Sequence, residues 1–233
     1  MVPCLSKEGQ KALEAAERFS DSHLGSIAAV FTSVAYCCKG DFERAAQFAE
    51  LSLERAPTPA DRAMGELYVG MVWCRAGLMD KGIELVASAV EAVRAVGYRV
   101  LEYTFAPQLG EGYLLAGQYE RASETLKGAL ELATGCGGRW GMGLSHRLLG
   151  QVALKTNPAQ AAPHVEQAIE IFREIKGENE LAPAYSGMGC LRTLQGEYAE
   201  ARRYLTDALE IFERLGTLIE PDKVRRELAD LPA

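Results

Sequence analysis

Three histidines, six cysteines and one glycine-rich run are the residues of this chain whose types could do chemistry, and their spacing argues against it. His23, His146 and His164 are scattered, whereas a metal site wants clustered ligands. His146 falls at a bulky packing position of an apolar helix face and reads as the edge of a core. His164 lies on an amphipathic stretch near Glu166 and Glu170, where a solvated face is the plain reading. Cys4, Cys37, Cys38, Cys74, Cys136 and Cys190 contain no C-x-x-C pair and sit mostly on apolar faces. They read as reduced, buried thiols of a cytoplasmic protein, with neither disulfides nor metal implied. The run from Thr134 to Gly138 precedes a helix, as a phosphate loop would. It lacks the Lys-Ser/Thr ending and the preceding strand, so it reads as a long flexible turn between repeats. No catalytic residue, metal or cofactor is expected, and the chain is not expected to be an enzyme.

Composition narrows the partners. The 233 residues carry a formal net charge of -7, which disfavours a nucleic-acid backbone or an anionic membrane as partner, since both select basic surfaces. No stretch approaches the roughly 20 apolar residues of a membrane span, and the opening MVPCLSKEGQ has no signal-peptide apolar run. With 24% charged and 48% hydrophobic residues the chain is ordinary for a folded protein, so the informative signal is positional.

Gly70, Gly110, Gly150 and Gly189 recur at intervals of 40, 40 and 39 residues. Gly77, Gly117, Asn157 and Gly196 follow seven residues behind, with Gly40 as an earlier member, and Ala12, Ser52, Ala89, Ala129, Ala168 and Ala208 form a third series. Series in one phase mark stacked supersecondary units that cannot each bury a core alone. Within the segment 103–133, Ala106, Leu109, Gly110 and Tyr113 share one helical face, Gly117 stops that helix, and Tyr119, Ala122, Leu126, Ala129 and Leu130 form the face of a second. Gly110 and Ala122 let the two helices approach closely. Asn157 is expected to take the left-handed turn geometry that Gly takes elsewhere.

The order Leu-Gly, aromatic, turn Gly, Ala, Ala resembles the tetratricopeptide repeat, with a period nearer 40 than 34 and a closing Pro only at Pro57. The resemblance implies an all-α, right-handed superhelix of about five hairpins in one domain over 1–233. The hairpins are expected at about 24–57, 60–97, 99–134, 139–177 and 179–216, with a helix at 6–20 and a capping helix at 219–230. Linkers such as Phe172 to Gly177 and Phe212 to Gly216 look similar to those of the C-terminal arrays of bacterial signalling ATPases and cyclases and of maltose-activator-type regulators. This implies a non-catalytic interaction scaffold or a regulatory sensor segment.

Arrays of that family bind partners on the face lined by first helices. Carried over by position, the partner-binding residues are Val34, Cys38, Leu67, Met71, Arg75, Glu111, Leu115, Arg147, Gln151 and Lys155. Their apolar N-terminal part would suit a helix or folded surface, with Met and Cys adapting to shape. The alternatives are a small-ligand pocket near Val34, Cys38, Leu67 and Met71, or self-assembly. The segment 6–20 has the phase of a second helix without its first, so the chain reads as starting in mid-repeat, and a homo-oligomer through that helix is the corresponding expectation. Pro107 should kink the first helix of the third unit or set its start.

Overall fold

The computed structural model describes the backbone of residues 2–232 and the side chains of residues 8–232. Among them are twelve α-helices and no strand: α1 Val2–Phe19, α2 Ser22–Lys39, α3 Phe42–Arg55, α4 Pro59–Arg75, α5 Met79–Ala95 and α6 Arg99–Leu115, then α7 Tyr119–Cys136, α8 Arg139–Thr156, α9 Ala161–Glu174, α10 Glu178–Leu194, α11 Tyr198–Leu215 and α12 Glu220–Ala229. The fold class is the all-α repeat array that the glycine period implies. The helices divide into two compact units, Met1–Ala116 and Gly117–Ala233.

In each unit every helix packs on the next, and first helices also meet across the intervening second helix: α2 on α4 and α4 on α6 in the first unit, α8 on α10 in the second. The small residues explain this. A Cβ on Gly70 would lie 2.7 Å from the Gly82 carbonyl oxygen, so α4 and α5 meet backbone to backbone. A Cβ on Gly150 would meet Val165 at 2.6 Å, and one on Gly189 would meet Leu205 at 2.6 Å. Ser52, Ala89, Ala129, Ala168 and Ala208 are all buried on the matching faces.

Helix starts are set by side chains where the sequence supplies them. Asp21 accepts a hydrogen bond from the Leu24 N–H and Asp41 from the Arg44 N–H, while Thr58 caps α4 ahead of Pro59. The turns within hairpins use Gly40, Gly77, Gly117 and Gly196, all at positive φ. Asn157 departs from the expectation. Its φ is -148°, extended, and the chain then makes a 3-10 turn at Pro158–Gln160, since Pro158 restricts the residue before it to extended backbone.

A further positive-φ series joins one hairpin to the next: Gly97, Gly137, Lys176 and Gly216. Lys176 (φ 56°) fills a left-handed position that is glycine at Gly97, Gly137 and Gly216; Ser20 (φ 53°), ahead of α2, does the same. Left-handed backbone costs a Cβ-bearing residue roughly 1–2 kcal/mol, and glycine's extra freedom in the unfolded chain returns about half of that. Lys176→Gly is therefore expected to stabilise the second unit by about 0.5–1 kcal/mol, read as a rise in the urea midpoint at unchanged slope.

Three other expectations are corrected. The run from Thr134 to Cys136 is helical and only Gly137-Gly138 forms the turn, so this linker is short. Pro107 lies inside a continuous α6, and so it does not mark that helix's start; Pro183 sits inside α10 in the same way. Of the cysteines, Cys37 and Cys74 are buried and Cys38 half-buried, but Cys136 at the end of α7 and Cys190 within α10 are exposed; Cys4 lies outside the described side chains.

At the end of the second unit, α12 buries Pro221 and Val224, while Arg225 reaches Glu213 at 2.6 Å. Glu227 has a buried carboxylate oxygen without a hydrogen-bond partner. Burial raises its pKa above the ordinary carboxylate range, against the pull of Lys223 and Arg226. A raised folded-state value means that the folded chain binds the proton more tightly than the unfolded one. The destabilising effect is therefore absent at low pH and grows as pH rises through the folded value. Glu227→Gln should raise the melting temperature slightly at pH 7, on the order of 0.5 kcal/mol, and the gain should vanish near pH 4.

Candidate interaction surface

The apolar face of the first unit begins on α2. Leu24, Ile27 and Phe31 are exposed, with Val34 and Cys38 half-buried after them, at the three- and four-residue steps that put side chains on one helical face. Phe31 is 63% exposed and is not among the residues carried over from the repeat, whereas Val34 and Cys38 on the same stripe are; the adjoining Val30 is buried. On α4, Met64, Tyr68, Met71 and Arg75 are half-buried and follow one another at four- and three-residue steps. Leu67 is only 1% exposed and packs in the core, so its contribution to this face is support from beneath. Burial and the neighbouring Cys38 and Cys37 push the Tyr68 phenol up to about 12, which keeps it neutral. On α6 the face continues with Glu111, and Leu115 is 44% exposed at the helix end.

The polar residues expected as partner anchors are paired within the chain. Arg75 on α4 donates to both carboxylate oxygens of Glu111 on α6, at 3.1 and 2.8 Å, and to Cys37 Sγ at 3.2 Å. Glu111 is the main reason that the guanidinium pKa rises further above its ordinary value. In the second unit Arg147 on α8 lies 2.7 Å from Glu180 on α10 and donates to Gln151 at 3.3 Å. Arg147 is only 6% exposed. Each pair ties the first helix of one hairpin to the first helix of the next. Lys155, one helical turn beyond Gln151, is exposed.

The histidines are also partnered. His23 approaches buried Asp61 at 3.0 Å. His146 on α8 and His164 on α9 place their Nδ1 atoms 3.0 Å apart, which the reading of scattered histidines missed. Burial, and then His164, push the His146 pKa down to about 4. Burial and Lys127 lower that of His164. A shallow cavity of about 330 Å³ lies elsewhere in this unit, between α9, α10 and α11, lined by Glu166, Ile169, Glu170, Arg173, Met188 and Tyr204. Among the described residues no group of three His, Cys, Asp or Glu could hold a metal ion, and no helix is long and apolar enough to cross a membrane.

Residues 155–214, from the end of α8 through α11, match the family model of the tetratricopeptide repeat. The fold is that of tetratricopeptide repeat proteins. No curated protein matches the chain by sequence. Among solved structures, the chain is similar to BtubC from P. vanneervenii, with a TM-score of 0.64 and 17% identity over 100% of this chain and 94% of that one. It is similar to a Rap protein solved with Competence and Sporulation Factor, with a TM-score of 0.69 and 15% identity over 97% of this chain and 68% of that one. A third is the Signal Transduction ATPase with Numerous Domains with a tetratricopeptide repeat sensor from Pyrococcus horikoshii. There the TM-score is 0.62 and the identity 14%, over 97% of this chain and 35% of that one.

Within this tetratricopeptide fold, the face of α2, α4 and α6 is formed by the first helices of successive hairpins. It combines exposed apolar side chains at the α2 end with internally neutralised charge at the α6 end. The close-approach glycines supply the rest of the pattern, because they draw each second helix against its own first helix and so fix which side of the first helix stays open.

Proposed function

We propose that this chain is a non-catalytic protein-interaction and regulatory repeat segment that receives a helix or folded surface on the first-helix face of its first unit. The observation that carries this reading is the α2 stripe of Leu24, Ile27 and Phe31, continued by Val34 and Cys38 and flanked by the soft side chains Met64 and Met71 on α4. Large apolar side chains aligned on one helix and left uncovered mark interaction surfaces more than stability. Family resemblance and the likeness to a sensor-bearing signalling ATPase support a place within a larger bacterial signalling protein. The paired charges change which residues the partner reads. Arg75 and Glu111 hold this face together, whereas Phe31 and Leu115 are the ones open to contact; in the second unit, taken by itself, Arg147 is likewise paired and Lys155 is exposed.

The test is a photo-crosslinking residue at position 31, compared with one at Ser88 on the exposed side of α5, together with solution mass by light scattering across a concentration range. A heterologous adduct from position 31, absent from position 88 and lost when Ile27→Asp is added at unchanged melting temperature, is the expected result. Equal adducts from both positions would overturn the reading. A concentration-dependent mass abolished by Phe31→Asp would assign the same face to self-assembly instead.

A further inference from the structure

The His146–His164 pair is unused by the interaction reading and rests on independent geometry. His146 stands one helical turn before Gly150 on α8, and the missing side chain at Gly150 lets α9 close in. A Cβ at Gly150 would meet Val165 at 2.6 Å and the His164 Cβ at 3.7 Å. The same glycine that sets the hairpin's packing therefore brings the two imidazoles together. Their Nδ1 atoms are 3.0 Å apart, with ring centroids at 5.3 Å and planes tilted by 42°. Two neutral imidazoles at this distance share one proton: one Nδ1–H donates and the other Nδ1 accepts. Both Nδ1 atoms point at the same small region of space, and both rings are half-buried.

We infer that His146 and His164 form a bidentate site for a late first-row divalent transition ion, with water completing its coordination. A metal about 2.0–2.1 Å from each nitrogen would see them about 90° apart, because a 3.0 Å bite is short of the roughly 3.3 Å that a tetrahedral ion requires. A right-angled bite suits the cis positions of a tetragonal or octahedral ion, which selects Ni²⁺ or Cu²⁺ over Zn²⁺. Binding puts the metal where the shared proton was: the histidine that carried it on Nδ1 changes to its Nε2–H tautomer, so both rings stay neutral and no net proton is released at pH 7.5. Lys127 is the cation felt at His164, and its charge opposes the incoming ion. With two protein ligands and a nearby ammonium, the affinity is expected in the micromolar range.

The probe is Ni²⁺, titrated calorimetrically into the full chain at pH 7.5, with nickel X-ray absorption on the loaded protein. One ion per chain is expected, with two imidazoles in its coordination shell. Affinity should fall at least tenfold in His146→Asn and in His164→Asn, and should be unchanged in His23→Asn. Binding that survives both substitutions would place the ion on the exposed Cys136 or Cys190 and overturn the inference. A shell with fewer than two imidazoles in the unmodified protein would do so without relying on any variant. No binding at millimolar Ni²⁺ would show the pair to be a packing contact only.

Discussion

Gly70→Ala is expected to lower the stability of the first unit by about 3 kcal/mol, although alanine is the better helix former. Were the position open, the substitution would stabilise α4 by about 1 kcal/mol, because glycine in a helix interior is disfavoured by that amount. The position is closed. An added Cβ would stand 2.7 Å from the Gly82 carbonyl oxygen, 2.7 Å from Val86 Cγ2 and 3.0 Å from the Val86 backbone N–H. Two of these three atoms are backbone, so no rotamer change relieves the contact and the whole of α5 must shift. Gly82 faces the same crossing from the other side, with its own added Cβ 2.5 Å from Cys74 Sγ, so α4 has no free path of retreat. Overpacking of this kind costs about 1–3 kcal/mol, and a backbone clash belongs at the upper end. Gly150→Ala meets chiefly the end of the Val165 side chain and should cost about 1 kcal/mol or less. Gly187 on α10 opens onto free space, and its alanine variant should be neutral or stabilising. Urea unfolding of the three variants decides the matter by sign. A gain in stability for Gly70→Ala would mean that α4 and α5 do not approach as closely as the repeat requires.

The same contrast shows what was legible in the sequence. A close helix crossing can be made only with Gly, Ala or Ser at the contact, so the chain leaves a periodic trace there, and Gly70, Gly150, Gly189, Ala89 and Ala208 could be read without coordinates. Turn glycines are legible for the same reason, since positive φ excludes most other residues. Lys176 was invisible because it occupies such a position against that preference. Phe31 was missed because repeat counting fixes helix phase only to within a residue, and its neighbours Val30 and Thr32 are both buried. That error of one residue separates an exposed stripe from a core. The histidine pair had a signal that went unused: His146 precedes Gly150 by one turn, and His164 adjoins Val165, the residue that Gly150 must face. Ion pairing was not legible at all. Arg75 and Glu111, or Arg147 and Glu180, are 36 and 33 residues apart, and nothing in the period says that their side chains meet.

Arg147→Ala is expected to cost the second unit about 3 kcal/mol, with the slope of the urea transition unchanged. Arg147 is almost fully buried and lies 2.7 Å from Glu180, which keeps about a fifth of its side-chain surface in water. Removing one member of a buried pair costs about 3–5 kcal/mol because the other is left without a counter-charge, and the partial exposure of Glu180 favours the lower figure. The double substitution Arg147→Met with Glu180→Leu should recover most of the loss, since it removes both desolvation penalties and keeps the packing volume. The cycle of singles and double isolates the coupling between α8 and α10. This bears directly on function. A guanidinium committed to Glu180 is available to a partner only if that partner supplies a carboxylate to replace it, and the face then binds at the expense of the link between successive hairpins. A cost near zero for Arg147→Ala would mean that the link is weak and that Arg147 is free to serve as an anchor. A cost near 3 kcal/mol would leave recognition to the exposed apolar side chains around Phe31.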